Sequence, residues 1–246
     1  MKLAQCIPGT LCNQKLWQYL APELKHSIQL QHVSLDHIET EVAALRVIKK
    51  ASCISPHIIG FSMGGYYGLA HAIAEPKLKS LVVIGAHCHT LSGVEIAHRR
   101  RIVKNMQDMR HVNQLIPPKR LEKFICSSST RYEKVADVIR LMEQDLGLNV
   151  LKRQLQASFT RQDLTERLAE IQCPVLLIAG EKDKIIHVKE MEAVARGIPN
   201  SQLHVLPNVG HMMPLEAPVQ TASLIRDFYD LHYVSESSQE KCLGNQ

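Results

Sequence analysis

Aromatic residues make up only 4% of the 246-residue chain, too few for the basic–aromatic interleaving that grips nucleic acid. No apolar run approaches the roughly 20 residues that cross a bilayer, and the opening residues MKLAQCIPGT do not resemble a secretory leader. Seven cysteines, an odd number, are scattered without a C-x-x-C pair, which argues against a disulfide framework or a structural zinc site. Internal repeats and low-complexity blocks are absent too. The expectation is a reduced, cytoplasmic, globular protein with no nucleic-acid and no membrane partner. With 45% hydrophobic residues, it can build one sizeable core, or a core with an insertion.

Charge is placed unevenly. Residues 90–160 carry 13 of the 29 basic side chains but only 7 of the 24 acidic ones, which leaves the rest of the chain close to neutral. Strand–helix alternation brackets this segment. Strands are expected at Lys2–Ile7, in the alternating stretch around Ile28–Leu35, at Ile58–Ile59, Leu81–Ala86, Pro174–Ala179 and Gln202–Leu206. Helices are expected at Gln14–Leu24, Ile38–Lys50, from Ser62 to about Glu75, at Val188–Arg196 and at Pro218–Leu231. Between His87 and Arg161 the pattern is helical only, over Val94–Leu115 and Arg131–Phe159, with breaks at Pro117-Pro118 and Ser127–Ser129. The expected fold is α/β, a mainly parallel sheet flanked by helices. Its core spans 1–88 and 162–234, a helical cap is inserted at 89–161, and a polar tail follows at 235–246.

The stretch His57–His71, HIIGFSMGGYYGLAH, contains Gly60-Phe61-Ser62-Met63-Gly64 between an apolar strand and a small-residue helix. This is the G-x-S-x-G nucleophile elbow in its expected setting. Chance alone would give the pattern in about one chain in ten of this length, so the remaining machinery decides its meaning. Serine is a weak nucleophile at neutral pH; it needs a base, and the base needs a carboxylate to fix its tautomer. Asp183 follows the apolar run Leu177-Ile178-Ala179, with Glu181 as a nearby competitor, and His211 follows the next strand in Asn208-Val209-Gly210-His211. The order Ser62, Asp183, His211 is the one expected for a hydrolase on such a sheet. Backbone N–H groups of Met63, next to the serine, and of Thr10, in the Pro8-Gly9-Thr10 loop, are the candidate oxyanion donors.

Taken together, Gly-Phe-Ser62-Met-Gly-Gly, Gly180-x-x-Asp183, Gly210-His211 with Glu216 and Pro218, and the loop PGTLCNQKLW resemble the α/β-hydrolase superfamily, in particular small capped bacterial serine esterases. The resemblance runs in order through nearly all of residues 1–232. It implies hydrolysis of a small or medium carboxylic ester through an acyl-enzyme, with Ser62 as nucleophile, His211 as base and Asp183 as its orienter, and without metal or organic cofactor. Other readings within reach are a ligand-binding or catalytically idle relative, or a lactonase, perhydrolase or C–C hydrolase on the same scaffold. Leu11, Phe61 and His87 are expected to line the substrate pocket, with Phe61 making its floor apolar. The short segment Ser34–Ile38 is expected to leave one side of the site open. His87-Cys88-His89 offers metal-capable side chains but no third ligand at zinc spacing. The run His98-Arg99-Arg100-Arg101 points around a helix and reads first as solvated surface. The similarity to the pimeloyl-acyl-carrier-protein methyl esterase group implies a sharper role, docking of an acidic acyl carrier protein by Arg99, Arg101, Arg110, Arg140 and Arg153.

Overall fold

The computed structural model describes residues 2–106 and 116–232. Six strands form one sheet in the order β2-β1-β3-β4-β5-β6, and every pairing is parallel. They are β1 (Lys2–Ile7), β2 (Ile28–His32), β3 (His57–Phe61), β4 (Ser80–Ile84), β5 (Val175–Gly180) and β6 (Ser201–Leu206). The central strands β3, β4 and β5 are buried along their whole length, as apolar strands covered on both faces must be. Alternate residues feed two separate cores. Ile58, Leu81, Val83 and Leu177 pack with α2 (Glu41–Ile54), α3 (Met63–Ala74) and α7 (Val188–Gly197) on one face. Ile59, Val82, Ile84, Leu176 and Ile178 pack with α1 (Leu20–Leu24) and α8 (Pro218–His232) on the other.

The expected helix Gln14–Leu24 is two pieces, a 3-10 turn at Gln14–Trp17 and α1. Pro22 is the reason. In a continuous helix it would owe a hydrogen bond to the Gln18 carbonyl that it cannot donate, whereas a restart at Leu20 puts it in a first turn, where no donor is needed. The 3-10 turn is capped separately by Asn13, whose side chain accepts from Lys15 N at 2.9 Å. Similarly, α2 starts at Glu41 and not at Ile38, because the Thr40 hydroxyl accepts from Ala43 N at 3.1 Å.

Between β4 and β5 the described residues hold α4 (Gly93–Asn105), α5 (Pro118–Phe124) and α6 (Tyr132–Ala157), and no strand. The expected end of the first helix, to Leu115, lies partly outside the described residues. Pro118 begins α5 instead of merely interrupting a helix, since proline is tolerated at the first helical position. The long helix α6 is bent where Gly147 adopts φ 66° and ψ −176°, a conformation open to glycine. Its first arm puts Val135, Ile139 and Met142 into the second core. Its second arm carries Gln154 toward the ends of β1 and β2.

The chain runs from β1 outward to β2, then returns past β1 to β3. That reversal opens a crevice beyond the carboxyl ends of β1 and β3, the place where parallel sheets receive ligands. The register aligns Ile7 with Gly60 and Gly60 with Val83, so the loops after β1, β3 and β4 leave the sheet side by side.

Candidate active site

Ser62 sits between β3 and α3 with φ 51° and ψ −114°, a strained conformation worth roughly 1–3 kcal/mol. Its N–H donates to Ile84 O at 2.8 Å, which ties the turn to β4. A Cβ at Gly60 would lie 2.5 Å from Gly64 O, and one at Gly64 would lie 2.3 Å from Ile7 O. Both contacts are with backbone and cannot yield. The two glycines therefore let β1, β3 and α3 approach closely enough to present the serine.

The structure brings Ser62, Asp183 and His211 together from the ends of β3, β5 and β6. His211 Nε2 lies 3.1 Å from Ser62 Oγ, and its Nδ1 lies 2.7 Å from Asp183 Oδ2. Asp183 is held from its other oxygen, where Oδ1 accepts from Ile185 N at 2.7 Å and Ile186 N at 2.9 Å. A carboxylate facing Nδ1 accepts, which makes Nδ1–H the tautomer of His211 and leaves Nε2 free to accept from the serine. Glu181, the competing carboxylate, turns away to accept from Asn208 N.

Two supports of His211 carried no role in the sequence. Glu216 is buried; it accepts from Gly210 N, Met212 N and Cys126 N at 3.1, 3.0 and 2.8 Å, clasping the backbone on both sides of the imidazole. Burial pushes its carboxyl up against the pull of those three donors. The carbonyl of Phe124, at the end of α5, accepts from His211 N at 2.8 Å. The Glu216 spacing was visible in the sequence, but its partners were not.

Thr10 and Met63 adjoin across the crevice, with Thr10 Oγ1 3.5 Å from Met63 Sδ. The Met63 N–H opens α3 and has no helical acceptor. The next residue in the loop, Leu11, has φ 54°, a positive value unusual for leucine. It is fixed there by Gln154, whose Oε1 accepts from Leu11 N at 2.8 Å while its Nε2 donates to Leu35 O at 3.2 Å. Arg153 adds two hydrogen bonds to Asp36 O, at 3.0 and 2.8 Å. The segment Ser34–Ile38, expected to leave one side open, is instead closed by α6.

A cavity of about 80 Å³ adjoins Ser62; besides Thr10 and Met63 its walls include His87, Arg99, Ser158 and Arg161. His87 therefore lies where the sequence reading put it. Leu11 and Phe61 are not among the lining residues. Leu11 is buried in the loop, and Phe61 packs against the His211 ring at 5.0 Å between centroids, on the opposite face of β3 from the cavity. Phe61 thus backs the imidazole instead of flooring the pocket. His87 and His89 stack at 5.7 Å between ring centroids, and the buried Cys88 lies 3.6 Å from the Thr165 hydroxyl.

The arginines expected to dock an acidic partner differ in their surroundings. Arg99 faces the cavity and donates to Ser158 Oγ at 2.8 Å. Arg153 is tied to Asp36 O, Arg140 pairs with Asp137 at 2.9 Å, and Arg101 is exposed. Arg110 lies outside the described residues.

The model of the alpha/beta hydrolase family matches residues 20–224. The monoacylglycerol lipase ABHD6 of Bos taurus is 24% identical over 225 residues, covering 84% of this chain and 66% of its own. The 2-hydroxy-6-oxononadienedioate/2-hydroxy-6-oxononatrienedioate hydrolase 2 of Pseudomonas putida is 28% identical over 188 residues, covering 70% of this chain and 62% of its own. The chain thus spans less than two thirds of the length of these curated relatives. Among solved structures, a thermophilic esterase from Thermogutta terrifontis superposes with a TM-score of 0.83 at 23% identity, over 95% of this chain and 91% of the other.

Proposed function

The chain belongs to the alpha/beta hydrolase family, and from that premise we propose that it is a serine hydrolase cleaving carboxylic esters through an acyl-enzyme. One observation carries the reading: the hydrogen-bonded path from Asp183 through His211 to Ser62, with 2.7 and 3.1 Å between heavy atoms, ending at a cavity. Ser62 Oγ attacks the ester carbonyl as His211 Nε2 takes its proton. The negative oxygen that develops is received by the N–H groups of Met63 and Thr10, each such donor being worth about 3 kcal/mol in a water-poor site. His211 then gives the proton to the departing alkoxide, leaving the acyl group on Ser62. Water enters, His211 takes one of its protons, and the acid is released. Asp183 stays ionised throughout and steadies the imidazolium.

In this reading α4 to α6 act as the cap, and the clasp of Gln154 on the Thr10 loop makes that cap a part of the active site. The names of the relatives support hydrolysis in general. The Pseudomonas putida relative is named for a different reaction, so hydrolysis of a carbon–carbon bond beside a ketone is the second reading; it uses the same serine and base. For docking of an acidic carrier protein, Arg99 and Arg153 are already hydrogen-bonded to Ser158 Oγ and Asp36 O.

The test is Ser62→Ala with a fluorophosphonate probe and a chain-length series of p-nitrophenyl esters. Wild type takes the label and turns over short esters, and the variant does neither. Undiminished turnover by the variant, or an unlabelled wild type, rejects the assignment.

A further inference from the structure

Two guanidinium groups, Arg99 and Arg161, line the cavity at Ser62 together with a single carboxylate, Glu95, and neither is held in a direct ion pair. Among the described residues no carboxylate oxygen lies within 4.0 Å of Arg99 or Arg161. Two carboxylates act on them from a distance, Glu95 on Arg99 and Glu41 on Arg161, while their oxygens are hydrogen-bonded to other groups. Glu95 closes the capping box of α4, with one oxygen 2.8 Å from both Ser92 N and Ser92 Oγ. Glu41 takes the Tyr66 hydroxyl at 2.8 Å.

Arg161 is built in rather than draped over the surface. It lies 3.6 Å over the Tyr66 ring, donates to His87 O at 2.7 Å, and keeps a buried Nε without an acceptor. Arg99 donates to the neutral hydroxyl of Ser158 at 2.8 Å and is drawn by the charge of Glu95. His87 between them adds no charge near neutrality, because burial and the neighbouring Arg161 hold its imidazole down to about 4. Burial also lowers Arg161, to about 10, which leaves it charged at neutral pH. Both guanidiniums are half-buried, and two of them against one carboxylate leave the cavity wall net positive, a setting that favours a bound anion.

We infer that the substrate carries its own carboxylate, held by Arg99 and Arg161 while its ester carbonyl meets Ser62. The substrate class is then the half-ester of a short dicarboxylic acid, matched to a small, mainly polar cavity. The guanidinium fork suits a planar carboxylate better than any neutral group. The inference rests on Ser62 being the nucleophile and narrows what it attacks. The reaction consumes one water and gives the dicarboxylate, the alcohol and one proton, so a pH-stat follows it.

The experiment compares monomethyl glutarate with methyl 5-methylhexanoate, in which an uncharged isopropyl group replaces the carboxylate. Wild type favours the half-ester in kcat/KM by about tenfold or more, the worth of a charge-assisted hydrogen bond. In Arg99→Gln that ratio collapses toward one. Arg161→Lys, which keeps the charge but loses the fork, lowers the ratio without removing the packing on Tyr66 altogether. Glutarate itself binds wild type by calorimetry and inhibits competitively, and Arg99→Gln loses both effects. Equal turnover of the two esters by a protein whose Ser62 takes a fluorophosphonate overturns the carboxylate site and leaves the hydrolase reading standing. If Ser62 is neither labelled nor active, that reading falls, and calorimetry alone decides: saturable glutarate binding lost in Arg99→Gln supports the site, and no binding ends it. Tighter binding of inorganic phosphate than of glutarate also overturns it, in favour of a phosphorylated ligand.

Discussion

Replacing Asp183 with asparagine changes one atom, yet the surroundings leave the new amide little choice of orientation. The Asp183 Oδ1 position faces two backbone donors, Ile185 N and Ile186 N, at 2.7 and 2.9 Å, and the Oδ2 position faces His211 Nδ1 at 2.7 Å. If the amide oxygen turned toward His211, its NH2 would confront two buried N–H groups and leave both unpaired. Each such loss costs about 1–3 kcal/mol, or roughly 2–6 kcal/mol together. The amide therefore keeps its oxygen on the Ile185 and Ile186 donors and points NH2 at Nδ1. Nδ1 must then accept, the ring proton moves to Nε2, and Nε2 can no longer take the proton of Ser62 3.1 Å away. Turnover should fall by about 10⁴-fold, the scale seen when a triad histidine is held in the wrong tautomer. Folding should change little, since the backbone bonds survive. The assay is kcat for a short p-nitrophenyl ester beside urea unfolding, with proton NMR of the imidazole to report the tautomer. A loss of less than tenfold, with the variant folded, refutes the argument that Asp183 acts by fixing that proton.

Gln154→Leu should cost about 2–4 kcal/mol, because it strands Leu11 N–H and Leu35 C=O without partners in a buried place; a urea midpoint unchanged from wild type would show the clasp to be incidental. The same variant should lose ester turnover beyond what its stability explains, as the Thr10 donor is placed by this loop. Acid should destabilise the fold through its buried histidines. Burial holds His57 and His87 each down to about 4, so the unfolded chain takes up those protons near 6.5 while the folded chain does not. Stability should therefore drop as pH falls from 6.5 toward 4 and level off below. Urea midpoints for wild type and His57→Gln across that window check this, and a slope that the variant leaves unaltered would exclude His57 as a source.

Local chemistry is what the residues settled alone. The elbow glycines, the apolar runs before Asp183 and His211, and the strand–helix rhythm each depend on neighbours a few positions away, so turns and strand ends were legible, and with them the order of Ser62, Asp183 and His211. Two of the errors were local as well: Pro22 splits one expected helix, and Thr40 delays another. What depended on distance stayed hidden. Gln154 meets Leu11 across 143 positions, and Glu216 meets Cys126 across 90; neither spacing leaves a periodic trace. The run around Arg99 read as surface because consecutive charges on a helix point every way. Only the folding of α4 and α6 over the strand ends decided that one of them, with Arg161, turns inward to the serine. A side chain's own sequence neighbours fix its backbone, but the partner of a buried charge is chosen by which segments the packed chain brings alongside it.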